Sequence, residues 1–195
     1  MNRSIEFFDR QFSRQVQAND YVLNPFEKAV LPHLHGDVLD LGCGLGNLSI
    51  AAARAGCRVT ALDASPAGIE DVAKRAREQG LAIEARAEDL RNFEPQGKYD
   101  CVVAIGLLMF FTCPEARRVL ARLQDAVRPG GVAAVNVLIA GTTFMEMFEP
   151  ASYCLLGAGD LAASFKDWSI AWSREEEFPA PGSTVKRFHT LIARK

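Results

Sequence analysis

The chain has 195 residues, of which 49% are hydrophobic and 24% are charged, with 22 Lys and Arg residues against 24 Asp and Glu residues. This composition excludes a mainly disordered chain, because nearly half of the residues can be buried and the net charge is only −2. The balance of charges also argues against a general nucleic-acid binder, which needs an excess of Lys and Arg to neutralise phosphates.

The sequence offers no segment that would place the chain in a membrane. The longest run without Asp, Glu, Lys or Arg, residues 129–145, contains a proline and two adjacent glycines. It is shorter than the roughly 20 apolar residues that a membrane-spanning helix needs. The first ten residues lack the apolar centre of a secretion signal. We therefore expect a soluble, cytoplasmic protein without a membrane partner, and the sequence says nothing about its oligomeric state.

Short β-branched runs alternate with helical patterns in the middle of the chain. Strands are expected at 38–41, 58–62, 82–87, 99–105 and 132–139, with helices at 48–55, from 66 to a stop at Gly80, and from 114 to a stop at 129–131. Helical patterns at 4–16 and 24–33 precede this core. A short helix at 160–165 and two strands at 168–172 and 185–193 follow it, the strands joined by an acidic connection at 174–183.

This order of elements predicts one α/β domain. Its sheet is doubly wound, mostly parallel and seven-stranded, with helices on both faces. Residues 1–35 would form an N-terminal helical cap and residues 36–139 the ligand-binding core. Residues 140–195 would supply a substrate-side loop, a short helix and the last two strands.

The cysteines do not predict a disulfide framework or a metal site. Their number is odd, their spacing is irregular and no pair is separated by two residues. We expect all five to be reduced thiols: Cys43, Cys57, Cys101, Cys113 and Cys154.

The most informative segment is a glycine-rich turn that follows the first strand. Gly42, Gly44 and Gly46 give the spacing G-x-G-x-G, whereas a dinucleotide-binding turn has G-x-G-x-x-G. Asp40 precedes the turn and would repel a pyrophosphate but attract an ammonium group. Asp63, at the end of the second strand, is placed to accept hydrogen bonds from a ribose diol. An ammonium, a ribose and a close backbone approach together describe S-adenosylmethionine.

As a set, these motifs resemble those of the class I S-adenosylmethionine-dependent methyltransferases, which have a Rossmann-like fold. The resemblance covers roughly residues 30–140 and includes 87–90 and 128–131 beside the glycine turn. It implies S-adenosylmethionine as the cofactor and S-adenosylhomocysteine as its product. A small-molecule methyl acceptor is expected because the sequence shows no substrate-recognition domain and no basic face for a nucleic acid. The implied cofactor-binding residues are Asp40, Gly42, Cys43, Gly44, Gly46, Asp63, Ala64, Glu88, Asp89, Ile105 and Gly106.

Other segments are similar to the bacterial tellurite-resistance methyltransferases. They are 99–110, the turn at 165–168 and the tail at 187–195. That family carries a Gly-Glu-Leu-His-Arg segment between its last two strands and a further Arg shortly after it. Here residues 174–182 contain three glutamates and no His or Arg apart from Arg174, and Ser183 stands where the later Arg would be. The glutamates are expected to repel tellurite or selenite. Detoxification of these oxyanions is therefore an alternative to another small acceptor.

The sequence provides few groups for acid–base chemistry. His33 and His35 precede the first strand, at the wrong end of the sheet for catalysis. Tyr21 and His189 are the remaining weak catalytic candidates. Phe7, Phe8 and Phe12 either cover the cavity or form an aromatic stripe that packs in the core, which is the more common role of such a stripe. Phe144, Met145, Met147 and Phe148 predict an apolar or soft acceptor pocket. Two further readings remain: a non-catalytic module that binds the cofactor, and a nicotinamide-dependent oxidoreductase.

Overall fold

The computed structural model describes residues 3–195. In chain order the elements are α1 (Arg3–Gln17), α2 (Pro25–Val30), β1 (Asp37–Leu41), α3 (Asn47–Arg54), β2 (Arg58–Asp63), α4 (Pro66–Gln79), β3 (Ile83–Ala87), β4 (Tyr99–Ile105), α5 (Cys113–Ala126), β5 (Val127–Leu138), α6 (Asp160–Ala163), β6 (Ser169–Ala180) and β7 (Thr184–Arg194). Within the described range, no helix combines the length and the apolar character needed to cross a bilayer.

One seven-stranded sheet, in the order β3-β2-β1-β4-β5-β7-β6, organises the molecule. Strands β1 to β5 are parallel, and β7 runs antiparallel to both of its neighbours, β5 and β6. The expected fold class, a mostly parallel doubly wound sheet, is confirmed. The carboxyl ends of β1, β2 and β4 meet at one edge, which is where open α/β sheets bind ligands.

Helices cover both faces of the sheet and bury two separate apolar clusters. Val119 and Leu123 of α5 belong to the cluster on one face. Leu48 of α3 and Val72 of α4 belong to the cluster on the other. The strands between them are apolar on both sides, as expected for a parallel sheet that helices enclose.

Helix α4 illustrates how well the local signals predict an element. The Ser65 hydroxyl caps the helix by accepting a hydrogen bond of 3.1 Å from the backbone N–H of Gly68. Pro66 occupies the first turn, and Gly80 ends the helix in the left-handed conformation with φ +62°. Both predicted ends of this helix are confirmed.

The last part of the sheet differs from the expectation. Residues 129–131 do not end α5 but lie within β5, which begins at Val127. The acidic stretch is not a loop either, because β6 continues to Ala180 and only residues 181–183 form the turn to β7. The glutamates are accommodated there because Glu175 and Glu177 face Arg187 on β7, at 3.7 and 3.8 Å. Strand β6 is an edge strand, where charged side chains are common.

The expectation of five reduced thiols is wrong for two of them. Cys113, at the start of α5, forms a disulfide with Cys154, in the loop after β5, and their Cα atoms are 4.7 Å apart. The other three cysteines are free. The separation of 41 positions carries no spacing signal, because only the path of β5 brings the two sulfurs together.

Candidate functional site

The glycine turn between β1 and α3 is hydrogen-bonded to the end of β2. The backbone N–H groups of Gly42 and Cys43 both donate to the carbonyl of Leu62, at 2.8 and 3.1 Å. The next N–H, of Gly44, donates to a carboxylate oxygen of Asp63 at 2.8 Å. Gly42 and Gly44 have φ values of +73° and +55°, which side-chain-bearing residues rarely adopt. Glycine is also required for space, because a Cβ atom on Gly42 would lie 3.1 Å from Leu107.

Asp40 lies beneath this turn and is almost completely buried. Its Oδ2 accepts a hydrogen bond of 2.6 Å from the Ser49 hydroxyl of α3. Burial raises the pKa of Asp40 to about 7, and the charges of Glu27 and Asp63 contribute in the same direction. Three carboxyl groups thus share this end of the cavity, and a ligand cation placed among them would relieve their repulsion.

Asp63 holds the turn and the start of α4 at the same time. Its two carboxylate oxygens accept from the backbone N–H groups of Gly44 and Ser65, each at 2.8 Å. Burial raises the pKa of Asp63, while these backbone hydrogen bonds lower it. Each oxygen keeps a further lone pair, so the carboxylate can still accept hydroxyl groups.

A cavity of about 770 Å³ opens above the carboxyl ends of β1, β2 and β4. Such a volume is within the range of about 300–1,000 Å³ that is typical of small-molecule sites. All the cofactor-binding residues expected from the sequence line it, with the exception of Gly46. Those residues are Asp40, Gly42, Cys43, Gly44, Asp63, Ala64, Glu88, Asp89, Ile105 and Gly106.

Gly46 and Asp89 both have structural roles, in helix packing and in capping a turn. A Cβ atom on Gly46 would lie 2.6 Å from a methyl group of Val72, so this glycine allows α4 to pack against α3. Asp89 caps a short 3₁₀ turn by accepting from the backbone N–H of Arg91, and it forms an ion pair with the Arg91 guanidinium. That pairing lowers the pKa of Asp89.

Helix α1 covers the cavity with aromatic side chains. Phe7, Phe8 and Phe12 all line it, and Phe8 packs edge to face on Phe110 with ring centroids 5.1 Å apart. A Cβ atom on Gly44 would approach the Phe12 ring to 2.9 Å, so the helix rests directly on the glycine turn.

Two polar contacts attach α1 to the N-cap of α4 and to the loop after β5. The Ser65 hydroxyl donates to Asp9 at 2.5 Å, and the backbone N–H of Arg3 donates to Glu149 at 2.8 Å. The N-terminal segment therefore closes the cavity from above.

Neither catalytic candidate lines the cavity. The Tyr21 hydroxyl donates to Asp71 at 3.1 Å, and the Arg75 guanidinium stacks over its ring at 4.1 Å. His189 is buried with its Nε2 2.8 Å from the Ser173 hydroxyl, and burial lowers its pKa. The Nδ1 of His35 lies 3.2 Å from the Cys101 sulfur, below the amino-terminal end of β1. None of the three histidines lines the cavity.

The far side of the cavity is built by residues that the sequence did not single out. Asn136 and Leu138 of β5 and Lys186 and Phe188 of β7 line it, together with Phe26 of α2. Alternation along each strand places the residues of β5 and β7 on one face, and it turns His189 to the opposite face. Only the pairing of β5 with β7 could have revealed this group.

The loop after β5 contributes to this side as expected for an apolar pocket. Met147 lines the cavity, while Phe144 and Phe148 are buried behind it. The glutamates of β6 do not line the cavity, so they would not contact an oxyanion bound there. Their charges are paired instead, Glu176 with Arg174 at 3.5 Å and the other two with Arg187.

Comparison with known proteins finds similarity to methyltransferases. Residues 38–131 match a family described as a methyltransferase domain. The probable S-adenosyl-L-methionine-dependent methyltransferase TehB of Haemophilus influenzae is 26% identical over 165 residues, or 81% of this chain and 57% of TehB. Its crystal structure superposes with a TM-score of 0.79 at 20% identity, over 93% of this chain and 65% of that chain.

Two further methyltransferases that resemble this chain are named for substrates or pathways that differ from each other. The ubiquinone biosynthesis O-methyltransferase of Caulobacter vibrioides is 40% identical over 118 residues, or 58% of this chain and 42% of that protein. The 1,6-didemethyltoxoflavin-N1-methyltransferase of Burkholderia thailandensis superposes with a TM-score of 0.71 at 21% identity, over 99% of this chain and 86% of that one. The chain spans about half the length of the curated relatives it matches.

Proposed function

We propose that this chain is a class I S-adenosylmethionine-dependent methyltransferase that transfers a methyl group to a small-molecule acceptor. Its fold and the similarity of residues 38–131 to a methyltransferase domain support this proposal. The observation that carries the proposal is the convergence of the glycine turn, Asp40 and Asp63 on one cavity. Solved relatives that contain S-adenosylhomocysteine support the choice of cofactor.

The polar groups of the cavity fit this cofactor. Asp40 and Glu27 are neighbouring acids whose pKa values are raised by burial, so a positively charged ligand would compensate them. Asn47, at the start of α3, lines the same cavity, and its buried side-chain oxygen has no hydrogen-bond partner among the residues that the structure describes. We infer that Asp63 accepts the ribose hydroxyls and that the segment from Glu88 to Leu90 flanks the adenine.

Orientation is the main contribution that the chain makes to the reaction. When bound, S-adenosylmethionine supplies a methyl group on a positively charged sulfur, which a nucleophile displaces in line. Holding the acceptor against that methyl group can supply several kcal/mol of the barrier. The aromatic residues of α1 exclude water from above, and the absence of a cavity-lining histidine favours an acceptor that needs no strong general base.

Calorimetric titration with S-adenosylmethionine tests the cofactor assignment. We expect micromolar binding by the natural sequence and loss of binding in Asp63→Ala. The matched control is Glu84→Gln, which removes an exposed acid from β3, outside the cavity. Circular dichroism of both variants checks that they fold.

Competition and turnover separate the remaining readings. Heat from NADH but none from S-adenosylmethionine would refute the proposal in favour of a nicotinamide enzyme. Binding of S-adenosylmethionine without release of S-adenosylhomocysteine, over thiol, amine, carboxylate and selenite acceptors, would favour the non-catalytic module.

A further inference from the structure

The cavity has opposite charges at its two ends. Asp40 and Asp63 lie at the end below the glycine turn, whereas Lys186 lines the side formed by β5 and β7. The Lys186 ammonium lies 4.5 Å from the centre of the Phe144 ring. No acidic group among residues 3–195 lies within ion-pair distance of it.

Lys186 therefore lacks the counter-ion that a partly buried cation usually has. Burial alone lowers the pKa of this lysine, and no neighbouring carboxylate acts against that effect. A charge removed from water without a partner is costly for the folded protein. An anionic ligand beside Lys186 would remove this cost.

A second group on the same side also lacks a partner. Asn136 is completely buried, and its Nδ2 donates to the Thr190 hydroxyl at 2.8 Å, but its Oδ1 has no hydrogen-bond partner in the described part of the chain. Asn136 pairs with Ile105 in the sheet, and its carbonyl accepts from the N–H of Gly106. This free acceptor thus stands beside the carboxyl end of β4.

The space between these groups has aromatic and apolar walls. Phe26 of α2 packs on Phe188 with ring centroids 4.7 Å apart, and Phe110 and Leu138 complete the lining. Flat rings stack well on such side chains. The walls therefore suit a planar molecule more than a small hydrated ion.

We propose that the methyl acceptor is a planar aromatic amine that carries an anionic group, as in the aminobenzoates. The anion pairs with Lys186, the ring lies against Phe188, and an amine N–H donates to Asn136 Oδ1. This inference rests on the proposed methyltransferase function. An amine is preferred to a hydroxyl because an aromatic amine has a free lone pair at neutral pH and so needs no general base.

The methyl transfer then balances without a further reactant. The nitrogen lone pair forms a bond to the methyl carbon, and the carbon–sulfur bond breaks with its electrons remaining on sulfur. The sulfonium becomes a neutral thioether. The methylated nitrogen, now positively charged, releases its proton to water.

The experiment compares acceptors and variants by release of S-adenosylhomocysteine. The acceptors are the three aminobenzoate isomers, aniline, which has the amine without the anion, and selenite. We expect at least one aminobenzoate to be methylated more efficiently than aniline. Lys186→Gln should raise the KM for that aminobenzoate by roughly tenfold or more and leave the KM for aniline unchanged. Lys186→Arg should restore part of the affinity for the aminobenzoate.

Two controls separate specificity from folding. Lys166→Gln changes an exposed lysine outside the cavity and should leave every acceptor unaffected. Asn136→Leu should lower kcat for the aminobenzoate while its affinity for S-adenosylmethionine, measured by calorimetry, stays unchanged.

Failure of the acceptor assignment is distinguishable from failure of the methyltransferase function. Binding of S-adenosylmethionine with turnover of aniline or selenite alone would overturn the acceptor assignment and leave the function intact. So would binding of the cofactor with no aminobenzoate accepted, or an unchanged KM in Lys186→Gln. Absence of cofactor binding would overturn both.

Discussion

Replacing Asp40 by asparagine should stabilise the ligand-free protein while weakening its affinity for the cofactor. The substitution keeps the shape of the side chain and an oxygen for the Ser49 hydroxyl, but it removes the buried charge. The pKa of Asp40 is raised from 3.8 to about 7. Between these values the folded protein binds a proton that the unfolded chain has released. The stability of the natural protein must therefore fall as the pH rises through this window.

The size of the effect follows from the same shift. Each pKa unit corresponds to about 1.4 kcal/mol, so the advantage of Asp40→Asn should grow by roughly 2–3 kcal/mol between pH 5 and pH 8. Urea unfolding of both proteins at the two pH values, without cofactor, measures it. An advantage that does not change with pH would refute the account of a buried, ionising Asp40.

Asp37 provides a matched control on the same strand. It pairs with Arg58 and Arg128 at the opposite end of β1, and these partners lower its pKa. A carboxyl group whose pKa is lowered by folding stabilises the folded protein at pH values above its pKa in the unfolded chain. Asp37→Asn should therefore destabilise the protein at pH 8, the opposite direction to Asp40→Asn.

The cofactor should bind better as Asp40 ionises. Because its ammonium group is proposed to lie near the carboxylate, affinity for S-adenosylmethionine should rise as the pH increases from 6 to 8. This dependence should be lost in Asp40→Asn, together with roughly tenfold or more of the affinity at pH 8. Calorimetry in two buffers of different ionisation enthalpy should detect proton release near pH 7 for the natural protein only.

Two further substitutions test the glycine turn and the disulfide. Gly44→Ala should lower the Tm and weaken cofactor binding, because the added Cβ atom would collide with the Phe12 ring. Gly80 has a similar positive φ but open space around it, so Gly80→Ala should cost only about 1–3 kcal/mol of backbone strain and leave cofactor binding unchanged. Equal effects of the two would mean that Phe12 does not rest on the turn. Cys154→Ser should lower the free energy of unfolding by about 2–4 kcal/mol, and dithiothreitol should destabilise the natural protein but not this variant, because only the former contains the Cys113 bridge.

The cofactor side of the cavity could be predicted because its signals are local. The turn from Gly42 to Gly46 needs positive φ at three positions, and Asp40 and Asp63 end neighbouring parallel strands. Parallel strands bring their carboxyl ends to one edge, so the sequence order alone places these residues together. Gly46 was assigned to the ligand for the same reason, although its neighbour is Val72.

The acceptor side could not be predicted because it is assembled by long-range pairing. Asn136 and Lys186 are 50 positions apart, and only the antiparallel register of β5 and β7 puts both on the face that opens to the cavity. The glutamates of β6 were expected in a connection between strands, and only the pairing of β6 with β7 places Glu175 and Glu177 beside Arg187. The Cys113–Cys154 bridge is non-local in the same way.

Several buried polar groups of the cavity lack the partners that such groups usually have. In a stable core, buried charges are paired and buried acceptors are hydrogen-bonded. Among residues 3–195, Asp40 has neighbouring acids, Lys186 has no counter-ion, and Asn136 keeps an unpartnered oxygen, yet all three line one cavity. Each conflict has the sign that a cation at one end and an anionic acceptor at the other would resolve. Such conflicts persist mainly where a ligand compensates them. We therefore expect the cofactor and the anionic acceptor together to raise the free energy of unfolding by more than the cofactor alone does.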